Sequence, residues 1–372
     1  MNKKHLGIIG IIIVILIGIF IFNSTTKTEE IIKIGVTQSL SGSAAYYGQE
    51  NMKGVEIAKE EISKDYPTFN FKVFHEDSFF TAKGGVDSYK KMREIDNIEA
   101  IITHASSVSL AVQPLAQNDK ILQMAVSASA LTYSTPNDLS FRTSPTTNVE
   151  AKTIADYIIK KGYKKVSILY MNNEIGVSIT ESLKKELKDK DATVMIISEE
   201  GFLTDETDFK ASLLKIKESD ANIVFIPALA SNILLILKQA KEIDLEVQFI
   251  GFRSTEDANL INNAGELAEG IIYSYGFDPH SELSQVKRFV NAYREKYGKN
   301  PDGFSAEAYE GFKLVTLAFI NCGKDNQCIQ NYLTNLKEYN SVFGNLSFDS
   351  NGDVYYDFFM KTVKNGKFTR LE

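Results

Sequence analysis

The sequence contains few of the residues, and none of the short motifs, on which most enzymes and nucleic-acid-binding proteins depend. Its two cysteines are too few for a zinc site built from thiolates. Lysine and arginine total 41 against 48 aspartates and glutamates, and no basic block offsets the net charge of -7, which argues against a nucleic-acid partner. Metalloprotease, P-loop, dinucleotide and nucleophile-elbow patterns are all missing. We therefore expect a protein that is not an enzyme and requires no cofactor or metal.

One histidine leaves a catalytic alternative to weigh. Only four histidines occur, and His104 is followed closely by Ser106 and Ser107, a spacing that permits a nucleophile and its base. Residues at a strand end point to different sides, however, and the sequence shows no carboxylate that would orient the imidazole. We expect His104 to be a structural residue.

The N-terminus carries the one long apolar run. Lys3 and Lys4 precede an uninterrupted apolar stretch at residues 6–22, which as a helix would span about 25 Å. The lysines predict a cytoplasmic segment at 1–5, a transmembrane anchor at 6–22 and a polar linker at 23–30 that holds the body outside the cytoplasm. A cleaved signal peptide is the alternative, although no A-x-A cleavage pattern follows the run. No cysteine follows it either, so lipid attachment at this point is excluded.

The two cysteines, Cys322 and Cys328, are separated by five residues between two helical patterns. In a body outside the cytoplasm this spacing favours a local disulfide. Two free thiols are the alternative, because a short turn need not bring the two Cβ atoms within bonding range.

The whole chain, 372 residues long and 44% hydrophobic, is large enough for two domains with separate cores. From Ile31 onward, apolar strands and amphipathic helices alternate, which predicts an α/β protein with two doubly wound parallel-sheet lobes joined by a multi-strand hinge. We expect lobe 1 to comprise residues 31–143 and 278–343, and lobe 2 to comprise residues 144–277 and 344–372. Crossings between the lobes are expected at 144–145, 278–279 and 343–344.

Two strand ends carry the most specific functional signal. The strand that ends at Thr103 leads into Ser106 and Ser107, and the following strand leads into residues 127–129, Ser-Ala-Ser. Both are places where a helix or turn begins, so free backbone N–H groups and hydroxyls point out of the sheet together. Ser107 and Ser129, with the amides around Ala128, could hold a carboxylate there. The alternative for any one serine is an ordinary helix cap.

The order of several motifs along the chain resembles the type I periplasmic binding protein fold, and within it the leucine/isoleucine/valine-binding family of ABC importer solute-binding proteins. The resemblance extends from Ile32 to Val363. It is carried by Gly35-Val36, Leu40-Ser41-Gly42, Tyr47-Gly48-Gln49, His104-Ala105-Ser106-Ser107, Ser127-Ala128-Ser129-Ala130-Leu131-Thr132, Phe141-Arg142-Thr143, Ala264-Gly265-Glu266-Leu267-Ala268-Glu269-Gly270 and Gly344-Asn345-Leu346-Ser347-Phe348-Asp349.

This resemblance implies a clamshell whose lobes close on a small ligand and deliver it to ABC permease and ATPase subunits. Ser107 would donate its hydroxyl to the ligand carboxylate, and Ser127 and Ser129 would add backbone and hydroxyl contacts. Tyr47 would cover the ligand, the alternative being an aromatic packed within its own loop. A sensory receptor of the same fold, acting through a separate partner, is the alternative function.

Two positions depart from the amino-acid-binding pattern of that family. Arg253 stands where an acid usually meets the ligand ammonium, and an arginine repels ammonium and attracts an anion. Glu256 or Asp257 would substitute for the acid if the loop were shifted by a few residues. Ile175 replaces an aromatic residue and predicts a more apolar wall. We expect a small carboxylate-bearing amphiphile as ligand, such as a branched-chain amino acid, with the α-amino group in doubt.

Overall fold

The computed structural model describes residues 31–371 except 134, 137 and 338. The expected cytoplasmic segment, transmembrane anchor and linker at residues 1–30 lie outside the described residues. Within the described part of the chain, no helix combines the length and the apolar character needed to cross a membrane.

The first lobe is built on a five-stranded sheet in which every neighbouring pair is parallel, in the order β2-β1-β3-β4-β5. Its strands are β1 (Ile32–Gln38), β2 (Phe71–Asp77), β3 (Ala100–His104), β4 (Leu122–Val126) and β5 (Ser140–Arg142). Its helices are α1 (Ala45–Asp65), α2 (Ala82–Lys91) and α3 (Ser106–Asn118). Strands β3 and β4 are buried at every residue because helices cover both faces of a parallel sheet.

The second lobe repeats the alternation. Its helices are α4 (Thr147–Lys160), α5 (Glu174–Lys190), α6 (Lys210–Glu218), α7 (Ala230–Glu242) and α8 (Ala258–Ala264). Its first strands are β6 (Lys165–Met171), β7 (Met195–Phe202), β8 (Ile223–Phe225), β9 (Gln248–Gly251) and β10 (Ile272–Tyr275). The expectation of two lobes with parallel sheets is therefore confirmed.

The chain then returns to the first lobe through α9 (Ser284–Tyr297), α10 (Gly303–Cys322) and α11 (Asn326–Thr334). Helix α10 is buried on nearly every side, and it packs so closely on α1 that a Cβ added at Gly54 would lie 2.0 Å from the carbonyl oxygen of Ser305. Such contact fixes α10 against the sheet, so its first turn has a defined position at the cleft.

The last strands complete both lobes. A small hairpin, β11 (Tyr339–Ser341) and β12 (Gly344–Leu346), precedes β13 (Phe359–Lys364) and β14 (Lys367–Arg370). The last two strands are antiparallel and extend the second sheet to the order β14-β13-β10-β9-β8-β6-β7. The turn between them, Asn365-Gly366, has both residues at positive φ, which suits a two-residue hairpin.

The third crossing between the lobes lies later than the expected position at 343–344. Residues 344–354 still pack on the first lobe: the N–H of Arg142 donates to the carbonyl of Gly352 at 3.0 Å, and the rings of Phe141 and Phe348 are 5.0 Å apart. The chain joins the second sheet only at Phe359. Apart from this shift, the lobe boundaries given above remain a prediction.

The structure joins Cys322 and Cys328 in a disulfide with a Cα–Cα distance of 5.5 Å. The bond connects the end of α10 to the first turn of α11. There the carboxylate of Asp325 accepts the N–H of Cys328 at 3.0 Å and begins the helix. Of the two alternatives left open by the sequence, the structure has the local disulfide.

Candidate functional site

The two lobes meet along a cleft that contains a small cavity. The centre of a water-sized sphere can occupy about 40 Å³ within it. The first lobe contributes Tyr47, Phe80, His104, Ala105, Ser106, Ser107, Ser127 and Phe304. The second lobe contributes Met171, Ile175, Leu229, Phe252, Arg253 and Ser254. Most of these side chains are apolar or aromatic. Most of the polar residues follow the carboxyl ends of β3, β4 and β9, and such strand ends are where parallel α/β sheets commonly bind ligands.

The backbone at these two strand ends turns sharply. Ala105 follows β3 with φ of 76°, and Ser127 follows β4 with φ of 53°. Both values lie in the left-handed region, which is costly for residues other than glycine and typical of functional turns. The Ser106 hydroxyl accepts the N–H of Ala130 at 3.2 Å and so ties the two turns together.

The sequence predicts an anion-binding arrangement of Ser107 and Ser129 with the amides around Ala128, whereas in the structure Ser127 forms one, and a carboxylate of the protein itself occupies it. The N–H and the hydroxyl of Ser127 both donate to Oε2 of Glu307, each at 3.0 Å. Oε1 of Glu307 accepts the Tyr356 hydroxyl at 2.7 Å. Sequence reasoning missed Glu307. An acid within a wholly buried helix such as α10 was the available signal, because a buried carboxylate must be paired.

Arg253 crosses the cleft from the second lobe to this carboxylate. Its Nη1 lies 2.8 Å from Oε1 of Glu307 and its Nη2 donates to the Ser129 hydroxyl at 2.7 Å. The two charged side chains are only 7% and 4% exposed. Burial disfavours the Arg253 cation, yet the negative charges of Glu307 and Glu150 hold the pKa of Arg253 above its ordinary value. The guanidinium is thus a permanent cation in the cleft.

The Glu150 carboxylate holds the backbone of Arg253 in place. Its Oε1 accepts the Arg253 N–H at 2.9 Å and the Ser274 hydroxyl at 2.5 Å. Burial raises the pKa of the Glu150 carboxyl, although the positive charge of Arg253 opposes the shift. These bonds fix the loop after β9 so that the guanidinium points toward the first lobe.

Tyr47 lies on α1 and bridges the lobes with its hydroxyl. The hydroxyl donates to the carbonyl of Ser254 at 2.8 Å and accepts the N–H of Ala230 at 2.9 Å, and both partners belong to the second lobe. Its ring meets Phe304 edge to face, with centroids 4.8 Å apart. Tyr47 therefore contacts the second lobe and α10 rather than packing within its own loop.

Two further hydrogen bonds cross the cleft. The Ser107 hydroxyl donates to the carboxylate of Glu174, at the start of α5. The N–H of Leu131 donates to the Ser178 hydroxyl at 3.2 Å on the same helix. Together with Tyr47 and Arg253, these contacts hold the lobes in a closed arrangement.

His104 is buried, and its Nδ1 is hydrogen-bonded to the Ser39 hydroxyl at 3.2 Å. Burial, with a further contribution from the positive charge of Arg253, lowers the pKa of His104 to about 3. The imidazole is therefore neutral at physiological pH, with Ser39 as its hydrogen-bond partner.

Of the remaining expected site residues, one lines the cavity and the others lie outside its lining. Ile175 is nearly buried and lines the cavity as part of its apolar wall. Ala128 and Ser129 lie behind the cavity lining, where the carbonyl of Ala128 accepts Nη1 of Arg142 at 3.1 Å. Glu256 lies away from the cavity, in an ion pair with Lys361, and Asp257 accepts the N–H of Asn259 at 2.8 Å at the start of α8. Neither acid takes the place of a cleft carboxylate.

Two sheet-and-helix lobes closed over a mainly apolar cavity define a two-lobed ligand-binding protein. The chain belongs to the periplasmic binding protein family, whose model matches residues 31–367. This family membership places the body outside the cytoplasm and confirms the resemblance found in the sequence.

Named relatives agree with this assignment. The chain is 26% identical over 358 residues to Leu/Ile/Val-binding protein homolog 2 of Brucella abortus, covering 92% of this chain and 93% of the relative. It is similar in structure to the branched-chain amino acid transporter substrate-binding protein LivJ of Streptococcus pneumoniae, solved in complex with isoleucine (TM-score 0.83, 25% identity, 91% and 98% coverage). A solute-binding protein of an ABC transporter from Rhodopseudomonas palustris, in complex with 3,4-dihydroxybenzoic acid, shares the fold (TM-score 0.80, 21% identity, 92% and 96% coverage).

Proposed function

We propose that this protein is the extracytoplasmic solute-binding component of an ABC importer and that its ligand is a small, mainly apolar monocarboxylate without an ammonium group. The observation that carries the proposal is the position of Arg253, a buried cation in the lining of a mainly apolar cavity. Its mechanism is ligand binding coupled to hinge closure.

The charges around the cavity favour an anion. Among the described residues that line it, none is an aspartate or glutamate; Arg253 is a permanent cation, and the Glu307 carboxylate that pairs with it lies outside the lining. The first turn of α3 adds backbone N–H groups at Ser106 and Ser107 and the positive end of a helix dipole. A ligand carboxylate would displace Glu174 from the Ser107 hydroxyl and approach the guanidinium, which has five N–H groups and uses two in the bonds to Glu307 and Ser129.

The shape of the cavity favours a compact ligand. Phe80, Ile175, Leu229, Phe252 and Phe304 supply apolar walls from both lobes. Burying an aliphatic or aromatic ligand body between them gives roughly 25 cal/mol for each Å² of apolar surface. The small volume of the closed cavity means that such a ligand enters only when the lobes separate.

The ligands in the structures of similar proteins support a carboxylate and leave the ammonium open. Isoleucine in the LivJ complex carries both groups, and 3,4-dihydroxybenzoic acid in the Rhodopseudomonas palustris complex carries only the carboxylate. The arginine in the cleft of this chain favours the second kind of ligand.

A matched pair of ligands tests this proposal. 4-Methylpentanoate and L-leucine share a carboxylate and the same branched tail, and differ only in the ammonium group. Calorimetric titration of the full-length protein in detergent should give an affinity for 4-methylpentanoate at least tenfold above that for L-leucine, with benzoate as a further carboxylate. Tighter binding of L-leucine would refute the proposed ligand class.

The permease, the ATPase and the single-pass anchor at residues 6–22 are part of the same proposal. Reconstitution of the protein with its permease and ATPase in vesicles should give ligand-dependent ATP hydrolysis. The intact mass of the membrane-extracted protein would reveal whether residues 1–30 are retained. A ligand that binds without stimulating ATP hydrolysis would favour the sensory alternative.

A further inference from the structure

We propose that Glu307 is an internal substitute for a ligand carboxylate: it fills the anion-binding turn at Ser127 and, through Arg253, holds the two lobes together when no ligand is bound. This inference rests on the proposed function only in taking the cleft as the ligand site.

Each oxygen of the Glu307 carboxylate accepts two hydrogen bonds. One oxygen accepts the N–H and the hydroxyl of Ser127 at 3.0 Å each. The other accepts Nη1 of Arg253 at 2.8 Å and the Tyr356 hydroxyl at 2.7 Å. Two donors on each oxygen are what a bound carboxylate ligand would be expected to receive in such a turn.

The donors to Glu307 come from both lobes. Ser127 and Glu307 belong to the first lobe, and Arg253 follows β9 in the second. The ion pair and the bond from Arg253 to Ser129 therefore exist only while the cleft is closed. Because both charged groups are buried there, the pair is little screened by water and salt.

Glu307 restricts how a ligand carboxylate can bind in the cleft. A ligand carboxylate cannot use the Ser127 donors without displacing Glu307, and the displaced carboxylate would remain beside it as an uncompensated negative charge. An α-amino acid bound as the amino-acid-binding pattern of the family implies would also bring its ammonium toward Arg253. Glu307 and Arg253 together thus set the ligand class.

The test measures the distance between the lobes without ligand. Spin labels on Lys90→Cys in α2 and Lys188→Cys in α5 mark two exposed positions on different lobes, and the two native cysteines are bonded to each other. Double electron–electron resonance on the full-length protein should give one short distance for the wild-type background. Glu307→Ala should shift most of the distribution to a longer distance, and Glu307→Gln, which keeps the side-chain shape and favours folding, should shift part of it.

Acetate provides a rescue experiment, since it matches the group that Glu307→Ala removes beyond Cβ. Added acetate should return the Glu307→Ala distribution to the short distance, whereas chloride at the same concentration should not. The matched control is Glu310→Ala. Glu310 is a buried acid on the same helix that accepts a backbone N–H from Val342 at 2.7 Å and the Tyr339 hydroxyl at 2.8 Å, away from the cleft.

Three results would overturn the inference: a ligand-free wild-type protein that is already open, a Glu307→Ala protein that stays closed, or a Glu310→Ala protein that opens equally. Failure of acetate to restore the short distance would overturn the role of Glu307 as a carboxylate substitute. Because no cleft ligand other than acetate is added, these readings are independent of the titrations with 4-methylpentanoate, which test the proposed function separately.

Discussion

The bridging hydroxyl of Tyr47 allows a quantitative test of how lobe closure contributes to ligand affinity. Tyr47→Phe removes a single oxygen that donates to the Ser254 carbonyl at 2.8 Å and accepts the Ala230 N–H at 2.9 Å. In the open protein, water can bond to all three groups. In the closed protein without that oxygen, a buried carbonyl and a buried N–H lose their partner. The substitution should therefore destabilise the closed state specifically.

The size of the effect follows from the two lost hydrogen bonds. Each contributes about 0.5 to 1.5 kcal/mol to the closed state, which gives about 1 to 3 kcal/mol in total. Since ligand binding is coupled to closure, the affinity for 4-methylpentanoate should fall roughly 5- to 150-fold. Calorimetric titration of wild type and variant measures this ratio directly.

The neighbouring tyrosine supplies the control. Tyr46 lies on the same helix, but its hydroxyl donates at 3.0 Å to Asp302, which belongs to the same lobe. Tyr46→Phe should leave the ligand affinity within about twofold of wild type, because the bond to Asp302 does not depend on closure. An unchanged affinity in Tyr47→Phe, or equal losses in both variants, would refute the reasoning.

Three other predictions concern charge, pH and the disulfide. Arg253→Glu should change the ratio of the affinities for L-leucine and 4-methylpentanoate by at least tenfold in favour of L-leucine. The ammonium of L-leucine would then meet two acids, the new glutamate and Glu307. An unchanged ratio in a competitive titration would contradict this prediction. His104 takes up its proton in the unfolded state near pH 6.5 but in the folded state only near pH 3. The unfolded state therefore binds more protons between these values, and stability should fall as the pH drops, by about 2 kcal/mol between pH 7 and pH 5. Urea titrations at both pH values should show this loss in wild type and a smaller one in His104→Asn. Replacing Cys322 and Cys328 by serine should lower the stability by about 2 kcal/mol with little change in ligand affinity, as followed by thermal melting; a large change in affinity would argue against a purely local role.

The sequence was sufficient to predict the two turns at the cleft. A parallel sheet brings the carboxyl ends of adjacent strands to one edge, so Ser107 and Ser127 had to lie near each other once β3 and β4 were recognised. This inference depends only on alternation and strand direction, which are local properties of the chain. The placement of Arg253 in the cleft was implied instead by the resemblance to the binding-protein family.

Other features were not predictable in this way. The third crossing falls after Val354 rather than at 343–344, because the packing of Phe348 on Phe141 keeps that segment on the first lobe. The hairpin between β13 and β14 has a clear local signal at Asn365-Gly366, but its addition to the second sheet depends on pairing with β10, which lies about 90 residues earlier in the chain.

By itself, the sequence determined the two lobes and the sheet edge at which the cavity lies, since hydrophobic periodicity and strand direction specify them. Only the tertiary structure decided which group fills the turn at Ser127. Glu307 reaches it because α10 returns from the far part of the chain and packs against α1 and β4, and Arg253 reaches Glu307 because the lobes are closed. Such partners are separated by many residues and meet through packing, so no local pattern encodes their pairing.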